Sequence, residues 1–84
     1  MISVDGRVYV KYLGGHNRAV QLKTKHYKTY HFVTQNNIAL ALVETDDLDA
    51  ILNVKHECCS GTGRRICVIA SEKDVNIHLH GGRG

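Results

Sequence analysis

No proline occurs in this chain, and no apolar run comes near the roughly 20 residues needed to cross a bilayer. Without proline, the turns have to come from glycine, asparagine and aspartate. No segment is low in complexity, and no internal repeat suggests a solenoid or an array. The first six residues, Met-Ile-Ser-Val-Asp-Gly, lack the basic region and apolar core of an export signal, so a protein that is not secreted and has no membrane partner is expected. The three cysteines are an odd number, which argues against a disulfide framework and for reduced thiols. An 84-residue chain makes one small domain, here residues 1–80, with the glycine-rich residues 81–84 as a flexible tail. A core of that size gives only a few kcal/mol, so help from a metal, a partner or self-association is expected.

The net charge of +3 conceals a segregation of sign. Residues 1–43 carry six Lys or Arg against Asp5 alone, a balance of +5, whereas residues 44–57 stand at −4 and residues 58–84 at +2. A basic sheet and an acidic segment on one body favour copies packing head to tail, or docking on a partner with complementary patches.

Strand signals dominate. Asp5-Gly6 between alternating apolar stretches reads as a two-residue hairpin. Gly14-Gly15-His16-Asn17 makes a second turn, and residues 18–22 run back as a strand. Residues 24–28 suit a loop, and residues 29–33 a strand with Tyr30 and Phe32 on one face. Gln35-Asn36-Asn37 turns into the apolar run 38–43, read as a buried strand. Thr45-Asp46-Asp47 supplies capping oxygens and negative charge for a helix of about two turns through Leu48, Ile51 and Leu52. Residues 54–59 and 64–70 read as extended around a Ser-Gly-Thr-Gly turn, and Ser71 with Asp74 as the start of a one-turn helix ahead of a last strand over residues 77–80. The expected fold is mainly β, of the α+β kind: a small curled antiparallel sheet or partly open barrel of five to six short strands with one short helix.

All three cysteines and half of the six histidines fall between residues 56 and 80. On strands, His56 and Cys58 share a face, as do His78 and His80, and together with Cys59 and Cys67 they supply donors suited to tetrahedral zinc. The spacing is not that of a common finger or ribbon, and the competing reading makes the cysteines small buried residues and the histidines surface ones. The cofactor expectation is therefore none, or zinc. A register slip of one residue would exchange Cys58 for Cys59 as the ligand.

Catalysis has little to rest on, because His56 beside Cys58 or Cys59 lacks an orienting residue and an oxyanion hole. A non-enzymatic protein is expected. Gly61-Thr62-Gly63-Arg64-Arg65 lacks the Gly-Lys-Ser/Thr ending of a phosphate loop and reads as a turn followed by exposed arginines. Lys23, Lys25, Tyr27 and Lys28 interleave cations with an aromatic ring, which suits a nucleic-acid backbone or an acidic protein surface, and Arg64 and Arg65 add to that set. Asp46, Asp47 and Asp49 form an acidic helix able to meet a basic partner.

Tyr12-x-Gly14, Tyr30-x-Phe32, the apolar strand after it and Asp49-Ala50-Ile51-Leu52 resemble small proteins encoded among the structural genes of tailed phages and prophages, over residues 8–53. The resemblance implies a β-rich body with a short helix. It also implies a non-enzymatic role in building or decorating a virion's head, neck or tail through contacts with copies of itself or other virion proteins. Such a protein works in the host cytoplasm during assembly and in the virion afterwards. The alternatives are a zinc-stabilised nucleic-acid-binding module and a small phage-encoded inhibitor of a host protein.

Overall fold

A computed structural model describes residues 2–13, 20–56 and 64–81. Its elements run β1 (Ser3–Val4), β2 (Arg7–Tyr12), β3 (Val20–Lys23), β4 (Thr29–Gln35), β5 (Ile38–Glu44), a 3-10 turn (Thr45–Asp47), α1 (Leu48–Leu52), β6 (Lys55–His56), β7 (Arg64–Arg65), β8 (Cys67–Ile69) and α2 (Glu72–His80). Six strands form one open antiparallel sheet, ordered β1-β2-β5-β4-β3, with β8 also paired to β2. The far edge of β2 is shared end to end, because β1 takes Arg7 and Val8 while β8 takes Val10 to Tyr12. Tyr9 bridges the join, its N–H donating to Ile2 O at 3.3 Å and its carbonyl accepting from Ala70 N at 3.0 Å.

Two of the turns read from the sequence are found as expected, while those read at Gly14 to Asn17 and at Ser60 to Gly63 lie outside the described residues. Asp5 and Gly6 (φ 50° and 75°) close β1 onto β2, and Asn36 and Asn37 (φ 53° and 65°) close β4 onto β5. Positive φ at both central residues is the turn whose twist matches the right-handed twist of paired strands. The 64–70 segment, read as one strand, is split because β7 pairs with β6 while β8 pairs with β2.

Alternation along the strands makes two apolar faces. On one, Val10, Phe32, Ala39, Ala41, Val43 and Cys67 bury against Ile51 of α1, with Tyr12, Leu22 and Tyr30 packed around them. On the other, Leu40 buries against Val75 of α2, flanked by Tyr9 and Ile38. Lying between two helices explains why β5 reads as a nearly continuous apolar run and not as an alternating one.

The helix expected to start at Ser71 runs well beyond one turn and makes a second helix of the fold besides α1. Residues 77–80, read as a strand, are the last turn of the nine-residue α2. Val75, Ile77 and Leu79 do alternate, but Val75 and His78 are the buried pair while Leu79 is 54% exposed, which is helical spacing. Both ends of the helix are fixed. Ser71 Oγ accepts from Asp74 N at 3.1 Å and Asp74 Oδ2 from Ser71 N at 3.2 Å, closing a capping box. Gly81 ends the helix at φ 74°. Lys11 on β2 pairs with Asp74 at 3.1 Å. Burial opposes ionisation of Asp74, but Lys11 and the Ser71 hydrogen bonds outweigh it and hold the carboxyl below its ordinary range. At the other end Asn36 Nδ2 donates to Ile77 O at 2.9 Å and His78 O at 3.1 Å, so the β4–β5 turn caps the helix C-terminus.

That double duty separates the two turn asparagines. Both positions tolerate glycine on backbone grounds. Asn36→Gly also removes the two hydrogen bonds to α2 and is expected to lower stability by about 1 to 2 kcal/mol, whereas Asn37→Gly stays within about 0.5 kcal/mol of wild type. Urea denaturation of the two variants checks this. Equal effects would mean that Asn36 acts only as a turn residue.

Candidate contact surface at the basic hairpin

The β3–β4 connection is built on hydrogen bonds that the sequence encodes locally. Thr24 N donates to Lys28 O at 2.9 Å, and Tyr27 N to Thr24 O at 3.0 Å. Tyr27 itself adopts φ 62°. This is the three-residue hairpin loop in which a turn is followed by a left-handed residue, a position that glycine fills most easily. Tyrosine there carries a backbone cost of about 1 to 2 kcal/mol. The residue is 83% exposed, with Lys23 Nζ 5.3 Å from its ring centre, and Lys25, His26 and Lys28 of the same hairpin are exposed too.

What holds the loop is a buried carboxylate. Asp47, only 1% exposed, comes from the 3-10 turn before α1. Thr24 Oγ1 donates into this carboxylate, 2.9 Å from Oδ2 and 3.2 Å from Oδ1, and the ring of His26 donates from Nδ1 to Oδ1 at 2.7 Å. Thr24 Oγ1 in turn accepts from His26 N at 3.3 Å. The phenol of Tyr30 faces the same carboxylate, although its buried hydroxyl has no partner in hydrogen-bonding geometry. Burial first, and then the adjacent Asp47 carboxylate as a polar neighbour and as a charge, push that phenol up to about 12. Burial also works to raise the Asp47 carboxyl. The facing Tyr30 phenol and the hydrogen bonds from Thr24 and His26 outweigh it, and the carboxyl is held below its ordinary value. Beside this core, Lys28 pairs with Glu44 at the surface, raising the ammonium and lowering the carboxyl. An ion pair that exposed adds little on its own.

The other residues singled out in the sequence fare differently. Asp46 and Asp49 are exposed, but Asp47 is internal and cannot serve as a contact residue of an acidic helix. It does not cap α1 either, and the Thr45 hydroxyl goes to Gly6 O at 2.6 Å instead. His78 and His80 stand two apart on a helix, hence about 200° apart, and do not share a face. His78 is buried with Nε2 donating to Val33 O at 2.9 Å, while His80 is exposed. Cys67 lies on the opposite sheet face among Val10, Phe32 and Ile51, its thiol pushed up to about 11 by burial. Cys67 and His78 therefore do not converge on one metal. Only the backbone of His56 on β6 and of Arg64 and Arg65 on β7 is described, and Cys58 and Cys59 lie outside the described residues, as do residues 82–84 of the expected tail. Among the described residues no group of three or more His, Cys, Asp or Glu is placed to hold a metal ion, and no helix is long and apolar enough to cross a membrane.

Sequence reading found the basic loop but missed its anchor. The one available signal was the pairing of Thr24 and His26 with an aspartate 21 to 23 residues on, and no local rule links such distant positions. Compared with protein-family models, with curated proteins and with solved structures, the chain matches none of them.

The anchor sets a pH dependence. Because the Asp47 carboxyl is lowered on folding, its stabilisation is complete above the ordinary aspartate value of about 3.9 and disappears as pH falls through the lower folded value. Asp47→Asn is expected to be less stable than wild type by about 2 to 4 kcal/mol at pH 7, with the gap narrowing below about pH 4. Denaturation across pH 2 to 8 measures it. A gap that stays constant into acid would show that the charge is not what stabilises the loop.

Proposed function

We propose that this chain is a small non-enzymatic assembly module that binds protein partners through the tip of its basic hairpin. The observation that carries the reading is Tyr27, a bulky aromatic that is 83% exposed in a backbone conformation that favours glycine, on a loop fixed from beneath by a buried carboxylate. Strain retained at an exposed position points to use of that position, and an ordered tyrosine with few rotatable bonds is an efficient interface anchor. The resemblance of residues 8–53 to small phage structural proteins supplies a fitting setting, a virion component that contacts copies of itself or neighbouring virion proteins.

The charge arrangement favours a protein over a nucleic acid as the partner. Lys28 is matched by Glu44, and the Asp47 carboxylate lies under the loop, with Asp46 and Asp49 exposed on the segment that follows. A nucleic-acid groove needs an unopposed cationic track along the phosphates, and this end of the molecule is mixed in sign.

Tyr27→Gly separates folding from function. Its stability is expected to equal or exceed that of wild type by up to about 1 kcal/mol, since the strained φ is relieved, while self-association in sedimentation velocity is lost. Association unchanged by the substitution would remove the tip from the interface. A large loss of stability would show that Tyr27 is held for packing instead.

A further inference from the structure

A groove of about 380 Å³ lies beside the hairpin, lined by Asp5, Gly6, Arg7, Glu44, Thr45 and Asp46. Thr45 forms it by bonding to Gly6 O through both its N–H, at 3.1 Å, and its hydroxyl, at 2.6 Å, which ties the β1–β2 turn to the 3-10 turn. A Cβ at Gly6, one of the lining residues, would meet no atom within 4 Å. The volume falls in the range of about 300 to 1,000 Å³ typical of clefts that take a compact group. The Lys28–Glu44 pair and the bonds from Thr24 and His26 to Asp47 place the hairpin at this same end of the molecule. Yet Tyr27, 83% exposed, does not line its own groove.

We infer that the groove receives the hairpin tip of a second copy of this chain, with Tyr27 seated in it and Lys25 beside Asp46, so that two chains pair reciprocally about a two-fold axis. The inference rests on the reading of the tip as a protein contact and adds the partner. Charge complementarity selects the occupant: with Glu44 already paired to Lys28, Asp5 and Asp46 still outnumber Arg7 in the lining, whereas exposed Lys25 on the tip pairs with no carboxylate among the described residues. Tip and groove adjoin, so the patch is self-complementary, and reciprocal insertion closes at two chains without growing a filament. This differs from the head-to-tail packing that the segregated charges suggested.

Sedimentation equilibrium to about 1 mM protein tests it through a charge swap. Wild type is expected to show a monomer–dimer equilibrium. Lys25→Glu and Asp46→Lys should each weaken it about tenfold, and the double variant should restore it to within a few-fold of wild type. Both side chains are exposed, so circular dichroism should report an unchanged fold. A chain that stays monomeric throughout overturns the inference, and so does a dimer indifferent to both swaps. A dimer abolished by Tyr27→Gly but unaffected by Asp46→Lys would keep the tip as a contact and remove the groove.

Discussion

The Asp47 carboxylate is the constraint on which the basic-hairpin end of this molecule depends. A charged oxygen pair this deep in a small domain is unfavourable unless every nearby donor turns toward it. Here the donors come from one hairpin: the Thr24 hydroxyl, the His26 ring and, facing the same oxygens, the Tyr30 phenol. Satisfying the carboxylate fixes residues 24–28, and fixing them holds Tyr27 at positive φ with its ring in solvent. Stabilisation below and strain above are two sides of one arrangement.

The segregation of charge along the sequence acquires a structural meaning from the same contacts. The basic first half and the acidic segment that follows fold against each other, through Lys28 with Glu44 and His26 with Asp47, instead of forming two remote patches. The result is an end of mixed sign with a protruding ring, which suits a partner bearing its own pattern of charge better than a uniform polyanion.

Much of the fold was legible because its signals are local. Asp5-Gly6 and Asn36-Asn37 specify their hairpins, Ser71 and Asp74 specify a helix start, and the apolar run over β5 marks the central strand. The misreadings arise where a distant partner decides. Val75, Ile77 and Leu79 alternate like a strand, but Lys11 at one end of α2 and Asn36 at the other favour the helix. Asp47 looks like a helix cap until Thr24 and His26 arrive from another strand pair. The histidines and Cys67 looked like converging ligands only while residues 77–80 were read as a strand. On a helix across the sheet from Cys67, His78 becomes a packing residue.

The account turns on Asp47 being ionised, buried and bonded to the hairpin, and the most direct measurement is an NMR titration of its side-chain carboxyl carbon. The expected result is a midpoint below the ordinary aspartate value, with the amide signals of Thr24, His26 and Tyr27 shifting at the same pH as the loop loses its anchor. A midpoint at or above the ordinary value, with those amides unmoved, would contradict it.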